Sequence, residues 1–341
     1  MRSIIFNNQS TESTSNVQAT LSIQSQSLQL LNSLSLNLWD CGGTTSFLSS
    51  YLSHQRENVF KGVGVLIYVF DITTPPNAAA DELEWFTRCL ESLKEFSGQE
   101  ESLKVFILIN KMDLINEQDI PSAFRKRKAE IFQSVDALLS DASNIQTECY
   151  MTSIWDQSLY KAWSKIVTKL LPSSSKMSSA LTHFARTSNA TEVVLFERST
   201  FLVIGQTTLN RDGEEELHEE DPTSEYISIS DRNLKLSKFR FEKISQLIKS
   251  FKQSCTKINN QFNSMQLSET YYNAVLEPLT VNTYVLVITD KTDIRGCLLL
   301  HQHLTQTPNT APSAIQMNIR LAKPYFERVE DTFIGGDVTP S

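Results

Sequence analysis

Three short polar runs carry groups from which chemistry could be built. Asp40-Cys41-Gly42-Gly43 has the form D-x-x-G. At the end of a strand it offers a carboxylate near Mg²⁺ and a glycine whose backbone N–H can approach a terminal phosphate. Asn110-Lys111-Met112-Asp113 offers a different chemistry. An aspartate at the mouth of a parallel sheet can accept two hydrogen bonds, from the N1–H and the amino group of guanine, a pair that adenine cannot supply. The asparagine would orient the loop and read the base edge, while the lysine stem covers the ring. The third run is Thr152-Ser153-Ile154. Taken singly, the first run equally describes a turn after a strand and the second a surface loop. Their order narrows the choice, because each follows an apolar, strand-like segment and ligands of open parallel sheets bind at the carboxyl ends of strands.

The elements that must position these runs are legible as apolar segments. Leu36-Asn37-Leu38-Trp39 alternates into Asp40, Val63 to Phe70 is almost wholly apolar before Asp71, and Leu103 to Ile109 ends at Asn110. Helical segments are expected at 78–96, 121–140 and 157–171, the last with Leu159, Trp163, Ile166, Val167 and Leu170 at spacings of three and four. Strands alternating with helices describe a mostly parallel α/β sheet. Residues 7–35, rich in Ser, Gln, Asn and Thr, show no comparable pattern. Pro172-Ser173-Ser174-Ser175 reads as a linker. Beyond it we expect a helix near 177–187 and a hairpin of Val193–Phe196 with Thr200–Ile204. An acidic, disordered insertion is expected over about 206–234, carrying Asp212, Glu214, Glu215, Glu216, Glu219, Glu220 and Asp221. Ile244, Leu247, Ile248, Phe251, Cys255, Ile258, Phe262 and Met265 predict one long amphipathic helix. Strands at 273–279 and 283–289 and a closing helix with Ile315, Ile319, Ala322, Phe326 and Val329 complete an α+β module.

Bulk properties remove several classes. The 341 residues, 40% hydrophobic, suffice for two ordinary cores. The net charge of -8 argues against a sequence-independent grip on nucleic acid, which needs clustered cations. Arg125-Lys126-Arg127-Lys128 reads as a solvated helix face, with an acidic partner or lipid headgroup as the alternative. Five scattered cysteines (Cys41, Cys89, Cys149, Cys255, Cys297) form no C-x-x-C pair and read as reduced cytosolic thiols. No apolar run approaches the ~20 residues that span a bilayer. The N-terminus has neither a secretory h-region nor a Met-Gly start, so membrane insertion is not expected and any membrane location comes through a partner. His54, His183, His218, His301 and His303 form no triad or metal set with the cysteines.

The order of the three motifs is that of Ras-like GTPases, and longer runs sharpen the likeness. Leu38-Trp39-Asp40-Cys41-Gly42-Gly43, Val65-Leu66-Ile67-Tyr68-Val69-Phe70-Asp71, Lys111-Met112-Asp113-Leu114 and Thr152-Ser153-Ile154-Trp155-Asp156 all resemble the A/B class of Rag-type small GTPases. Leu159 to Trp163, Leu195 to Ile204 and Arg240 to Ser245 continue the resemblance, which runs from Met1 to about Glu330. It implies an α/β Ras-like domain over 1–172, a roadblock-type α+β domain over 173–332 and a tail at 333–341. It implies GTP/GDP and Mg²⁺ as ligands, with Thr14, Thr20, Gly43, Asn110, Lys111, Asp113, Ser153 and Ile154 binding nucleotide. Thr20 would meet the metal directly and Asp40 through water. It also implies pairing with a C/D-type Rag subunit through the roadblock domains. The pair would be held on the lysosomal or vacuolar surface by a lipid-anchored scaffold, where it recruits the TOR kinase complex when amino acids are plentiful. Cytoplasm, that membrane surface and the nucleus are the implied locations.

The sequence also departs from that family. Its first glycine is Gly42, and no G-x-x-x-x-G-K-[ST] phosphate loop occurs in it. Met1 to Phe6 resembles the helix that follows this loop, so the chain is expected to lack the loop and the first strand. That strand is central in Ras-like sheets, and its absence should expose two strand edges. Thr44 stands where the family carries the glutamine that orients the attacking water. Hydrolysis should therefore be slow, and no residue is assigned a catalytic role. A nucleotide-free subunit acting only through its roadblock interface is the competing expectation. Pro324 falls within the last helix, where a proline costs ~3 kcal/mol or kinks the chain.

Overall fold

A computed structural model describes residues 1–341 except 8, 15–16, 21, 32–33, 97–102, 141–144, 172–173, 211–212, 216–225, 230–233, 238, 271, 291–311 and 332–341. Two compact units divide the chain, residues 1–26 with 38–162 and residues 27–37 with 163–341.

The first unit opens with a short helix α1 (Arg2–Ile5), whose Ile4 and Ile5 are buried. A two-stranded sheet follows, β1 (Gln24–Leu31) with β2 (Leu34–Asp40), a hairpin divided between the units. β1 is a strand that the Gln/Ser-rich sequence concealed. After α2 (Thr45–His54) and α3 (Arg56–Phe60) comes a parallel sheet in the order β3 (Val65–Asp71), β4 (Leu103–Asn110), β5 (Ile145–Met151). Parallel neighbours need long crossovers, and α4 (Pro76–Phe96) and α5 (Ile120–Ser140) provide them. β4 lies in the middle, and every residue of it but Lys104 and Asn110 is buried. One face carries Leu103, Val105, Ile107 and Ile109, packed with Phe70, Phe86, Leu90, Leu93, Ile131 and Val135. Among the described residues no strand pairs with the outer edge of β3, and β2 joins no strand but β1. β2 therefore stands in a sheet of its own, and β3 is an edge strand among the described residues. α6 (Ser158–Leu170) begins in this unit, and its Tyr160 hydroxyl donates to the Ile4 carbonyl at 3.3 Å.

The second unit is α+β. α7 (Ser174–Thr187) precedes β6 (Glu192–Glu197) and β7 (Val203–Thr208). A short pair, β8 (Tyr226–Ile229) with β9 (Leu234–Ser237), comes before α8 (Arg240–Lys257), then β10 (Met265–Ser268), β11 (Tyr272–Pro278), β12 (Thr283–Asp290) and α9 (Pro312–Asp331). The five-stranded sheet has the order β10-β11-β12-β6-β7, antiparallel throughout. Phe196, Phe201, Phe241, Ile248, Leu276 and Tyr284 form the core on one face. α7 lies against Gly205 of β7, where a Cβ would stand 2.6 Å from Leu181 Cδ1, so a larger residue there would force the Leu181 side chain to shift. Phe184 of α7 meets Phe326 of α9 edge-to-face at 6.0 Å.

Several expectations are corrected here. The hairpin strands are Glu192–Glu197 and Val203–Thr208, because Arg198 to Leu202 make the turn. The buried Glu197 carboxylate fixes that turn by accepting from the N–H and hydroxyl of both Ser199 and Thr200. The stretch 206–234 is not wholly irregular, since β7 runs to Thr208 and β8 and β9 occupy its far end; most of its acidic residues, Asp212, Glu216, Glu219, Glu220 and Asp221, lie outside the described residues. The amphipathic helix stops at Lys257 instead of reaching Met265, because Asn259 takes a left-handed φ of 54° and Asn260 N–H caps Cys255 O at 2.9 Å. Its apolar stripe splits, with Ile248 buried but Leu247, Phe251 and Ile258 exposed by 63%, 53% and 69%. α9 runs through Pro324 unbroken to Asp331. Burial of Phe326 and Val329, and a Glu330 carboxylate accepting from Thr280 and Thr283 hydroxyls at 2.7 and 3.3 Å, hold its last turns. The tail at 333–341 lies outside the described residues.

Candidate functional site

The parallel pairing of β4 with β5 brings Asn110–Asp113 and Thr152–Ile154 to one end of the sheet. Thr152 N–H donates to Ile109 O at 2.8 Å, and Met112 N–H donates to Thr152 O at 3.2 Å. The loop leaves β4 through Lys111 in a left-handed conformation, φ 64°, which opens a one-turn 3-10 segment, Met112–Leu114. A non-glycine residue there costs free energy, which its surroundings must offset. They do so through side chains. Thr152 Oγ1 donates to Asn110 Oδ1 at 3.2 Å, and Ser153 Oγ donates to Asp113 Oδ1 at 2.5 Å while accepting from Trp155 N–H at 3.0 Å. Ser153 N–H donates to Ser158 Oγ at 2.8 Å. Thr152 and Ser153 are fully buried, whereas Lys111 and Asp113 are exposed. One strand end is therefore an interior brace and the other a solvent-facing set of polar groups.

Electrostatics tighten the same loop. Lys111 Nζ lies 2.5 Å from Asp71 Oδ2, the carboxylate that ends β3. Burial by itself would raise the Asp71 pKa, but hydrogen bonds from Lys111 and Thr73 outweigh it and hold the carboxyl below its ordinary value. Asp71 was visible in the sequence only as the last residue of a strand. Its partner lies forty positions on, in register through Asp71↔Asn110, and no local pattern announces such a contact.

The segment 11–14 also reaches this end of the sheet. Thr11 Oγ1 donates to Ile154 O at 3.1 Å, and Thr14 Oγ1 donates to Thr11 O at 2.7 Å. Thr20 is half-buried, and among the described residues no hydrogen bond or ion pair joins it to Asp40 or Gly43.

The Asp40 turn is held differently. Asp40 Oδ2 lies 3.4 Å from Arg2 Nε, with both side chains partly exposed. Gly43 is exposed with open space around it, and Thr44 precedes α2 without its hydroxyl capping the helix. Magnesium binds through one or two carboxylates, several waters and substrate phosphates. Asp40 and Thr20 are oxygen donors of a suitable kind, but Arg2 already engages the Asp40 carboxylate. Among the described residues no cluster of three His, Cys, Asp or Glu side chains could hold a metal ion. These residues alone do not make a magnesium cage. Cys41, Cys89, Cys149 and Cys255 are free thiols, and Cys297 lies outside the described residues. Among the described residues no helix is long and apolar enough to cross a membrane.

Comparison with known proteins matches residues 1–248 to the family described as the Gtr1/RagA G protein conserved region. The GTP-binding protein gtr1 of Schizosaccharomyces pombe is 37% identical over 340 residues, spanning 100% of this chain and 94% of that protein. The Ras-related GTP-binding protein A of Dictyostelium discoideum is 35% identical over 328 residues, 96% of this chain and 92% of its own length. Among solved structures, MglB of Myxococcus xanthus aligns with 48% of this chain and 92% of that one, at a TM-score of 0.28 and 9% identity.

Proposed function

This chain belongs to the Gtr1/RagA G-protein family, and we propose that it acts as the A/B-type guanine-nucleotide-binding subunit of a heterodimer. The observation that carries this reading is the braced loop Asn110–Asp113, with its carboxylate and lysine presented to solvent by a buried Thr152-Ser153 support. Asp113 accepts from guanine N1–H and the 2-amino group, Asn110 reads the base edge and the Lys111 stem covers the ring. The backbone at Ser153 and Ile154 meets O6. Thr14, Thr20 and Gly43 face the phosphates, and Thr20 and Asp40 take the metal side once a phosphate chain contributes ligands. We place the division between nucleotide and roadblock-type domains at 172/173. With Thr44 in place of a water-orienting glutamine, bound GTP turns over slowly.

The second domain supports the pairing. Leu247 and Phe251 on α8, and Ile258 just past its end, are exposed apolar side chains, and among the described residues β10 is an edge strand with Leu267 exposed. Exposed apolar side chains and an open strand edge both suit a protein interface. A C/D-type Rag subunit is the partner proposed for it. Through that heterodimer and a lipid-anchored scaffold the chain would report amino-acid sufficiency to the TOR kinase complex at the lysosome or vacuole.

A second reading is a subunit that pairs without nucleotide, favoured by the Arg2–Asp40 contact and the open edges of β2 and β3. Titration with fluorescent GDP and GTP, on the chain co-expressed with a C/D-type partner, separates the two. Micromolar or tighter binding that Asp113→Asn removes establishes the first. An intact dimer with no binding establishes the second.

A further inference from the structure

Of the four cations in the run Arg125 to Lys128, one is not a solvated charge. Arg127 is 8% exposed and lies under the sheet, its guanidinium 5.4 Å from the Phe70 ring centroid. Its Nη2 lies 2.6 Å from Glu82 Oε2 on α4, and its Nη1 3.3 Å from Glu130 Oε2. A buried charge is costly unless paired, so truncating one partner leaves the other stranded. Glu82 is held from two sides. Its second oxygen, Oε1, accepts the Asp71 backbone N–H at 3.4 Å, where β3 ends. Asp71 in turn divides its carboxylate. Oδ1 accepts from the Thr73 N–H and hydroxyl at 2.9 and 2.6 Å, and Oδ2 takes Lys111 at 2.5 Å.

We propose that Arg127, Glu82 and Asp71 form a positioning chain that presets Lys111, and with it the guanine-reading loop, before nucleotide arrives. The inference rests on the reading of Asn110–Asp113 as a guanine site. A free lysine side chain carries substantial rotamer entropy. A stem meant to lie over a base must lose that freedom, either when the ligand binds or beforehand. Here the loss is taken beforehand, because the ammonium is fixed to a carboxylate whose orientation is itself fixed by Thr73. Lys111 enters its left-handed backbone conformation at the same point, so one ion pair orders both its backbone and its side chain. Binding to a preset group is tighter by the ordering cost it avoids. The remote end of the chain is Arg127, whose packing under Phe70 gives the β3 terminus a fixed place relative to α5. Arg127, Glu82 and Asp71 reach no nucleotide atom in this scheme. They act through Lys111, and are positioning residues.

The test uses the full chain with its C/D-type partner and follows release of fluorescent GDP and of inosine diphosphate, which lacks the 2-amino group. Asp71→Asn keeps shape and removes charge. It should speed release of both nucleotides by the same factor, about fivefold, which corresponds to about 1 kcal/mol. Asp113→Asn, by contrast, should abolish the preference for GDP over inosine diphosphate. Glu82→Gln should show a smaller version of the Asp71 effect, and Arg127→Lys should recover most of what Arg127→Met loses. Hydrogen exchange on the nucleotide-free protein should rise at amides 110–115 in Asp71→Asn, with that of β4 unchanged. Unchanged release and unchanged exchange in Asp71→Asn, with Asp113→Asn still inactive, would overturn the positioning chain while leaving the guanine site standing. If the wild-type chain binds no guanine nucleotide, the guanine reading fails. The exchange experiment then still decides whether Asp71 presets the loop.

Discussion

The two rims of the first unit are built to different standards. Around Asn110–Asp113 the polar groups hang from β4, which is buried on both faces, and from the interior Thr152 and Ser153. Around Asp40–Thr44 they hang from a two-stranded sheet joined to no other strand among the described residues. The first rim is tied by hydrogen bonds of 2.5 to 3.2 Å between groups with buried supports, whereas at the second the Arg2–Asp40 ion pair spans 3.4 Å between partly exposed side chains. Rigidity at a loop is thus inherited from the strand beneath it. A motif is only as well placed as the sheet that presents it.

The comparison can be broken in several ways. Hydrogen exchange should separate the rims most widely, with amides of Val105 to Ile109 protected about a thousandfold or more beyond those of Leu38 to Asp40. Equal protection would mean that β2 has found a partner strand. Next in size, Asp113→Asn should cost about a hundredfold in GDP affinity, because it removes a charged acceptor of two hydrogen bonds. Ser153→Ala should cost about tenfold, since Asp113 keeps its charge but loses its brace; an effect equal to that of Asp113→Asn would show Ser153 to be a direct contact. Acid should reach the better rim late. The folded Asp71 pKa lies below the ordinary value of 3.8, so its contribution is fully present above that value and is lost only as pH falls through the lower folded one. Protection at 110–115, taken relative to the intrinsic exchange rate at each pH, should therefore stay flat on acidification to about pH 5 and fall below about pH 4. The smallest effect is expected at the weaker rim. Arg2→Ala should shift GDP affinity less than about threefold, as exposed pairs contribute about 0–1 kcal/mol.

What the sequence made legible follows the same division. Asn110–Asp113 and Thr152–Ile154 were readable because each is contiguous and ends an apolar run, and the structure joins them by direct hydrogen bonds. β1 was not readable, because Gln24-Ser25-Gln26-Ser27 gives no alternation of apolar residues for pairing to reveal. In α8 the three-and-four spacing continued through Ile258, Phe262 and Met265 after the backbone had turned at Asn259, so a periodic pattern outlasted the helix. Pro324 does lie inside the last helix, as its place in the sequence indicated, and the turns beyond it are held by Phe326, Val329 and Glu330, whose burial depends on residues far away in sequence. Arg127 looked like its exposed neighbours Arg125, Lys126 and Lys128, and only the fold distinguishes it. Single-sequence patterns report what lies within a few positions, and the pairing of β1 and the burial of Arg127 are contacts made across elements.

The uncovered flank of β3 has one more consequence, and it concerns the protein in bulk. Val65-Leu66-Ile67-Tyr68-Val69-Phe70 carries no charge, no proline and no glycine, and among the described residues no strand lies beside its outer row of backbone donors and acceptors. Such a segment templates stacking with copies of itself. Concentrated solutions of this chain should therefore lose material to fibrillar deposits, and a seven-residue strand supplied in excess should slow that loss by capping the growing end.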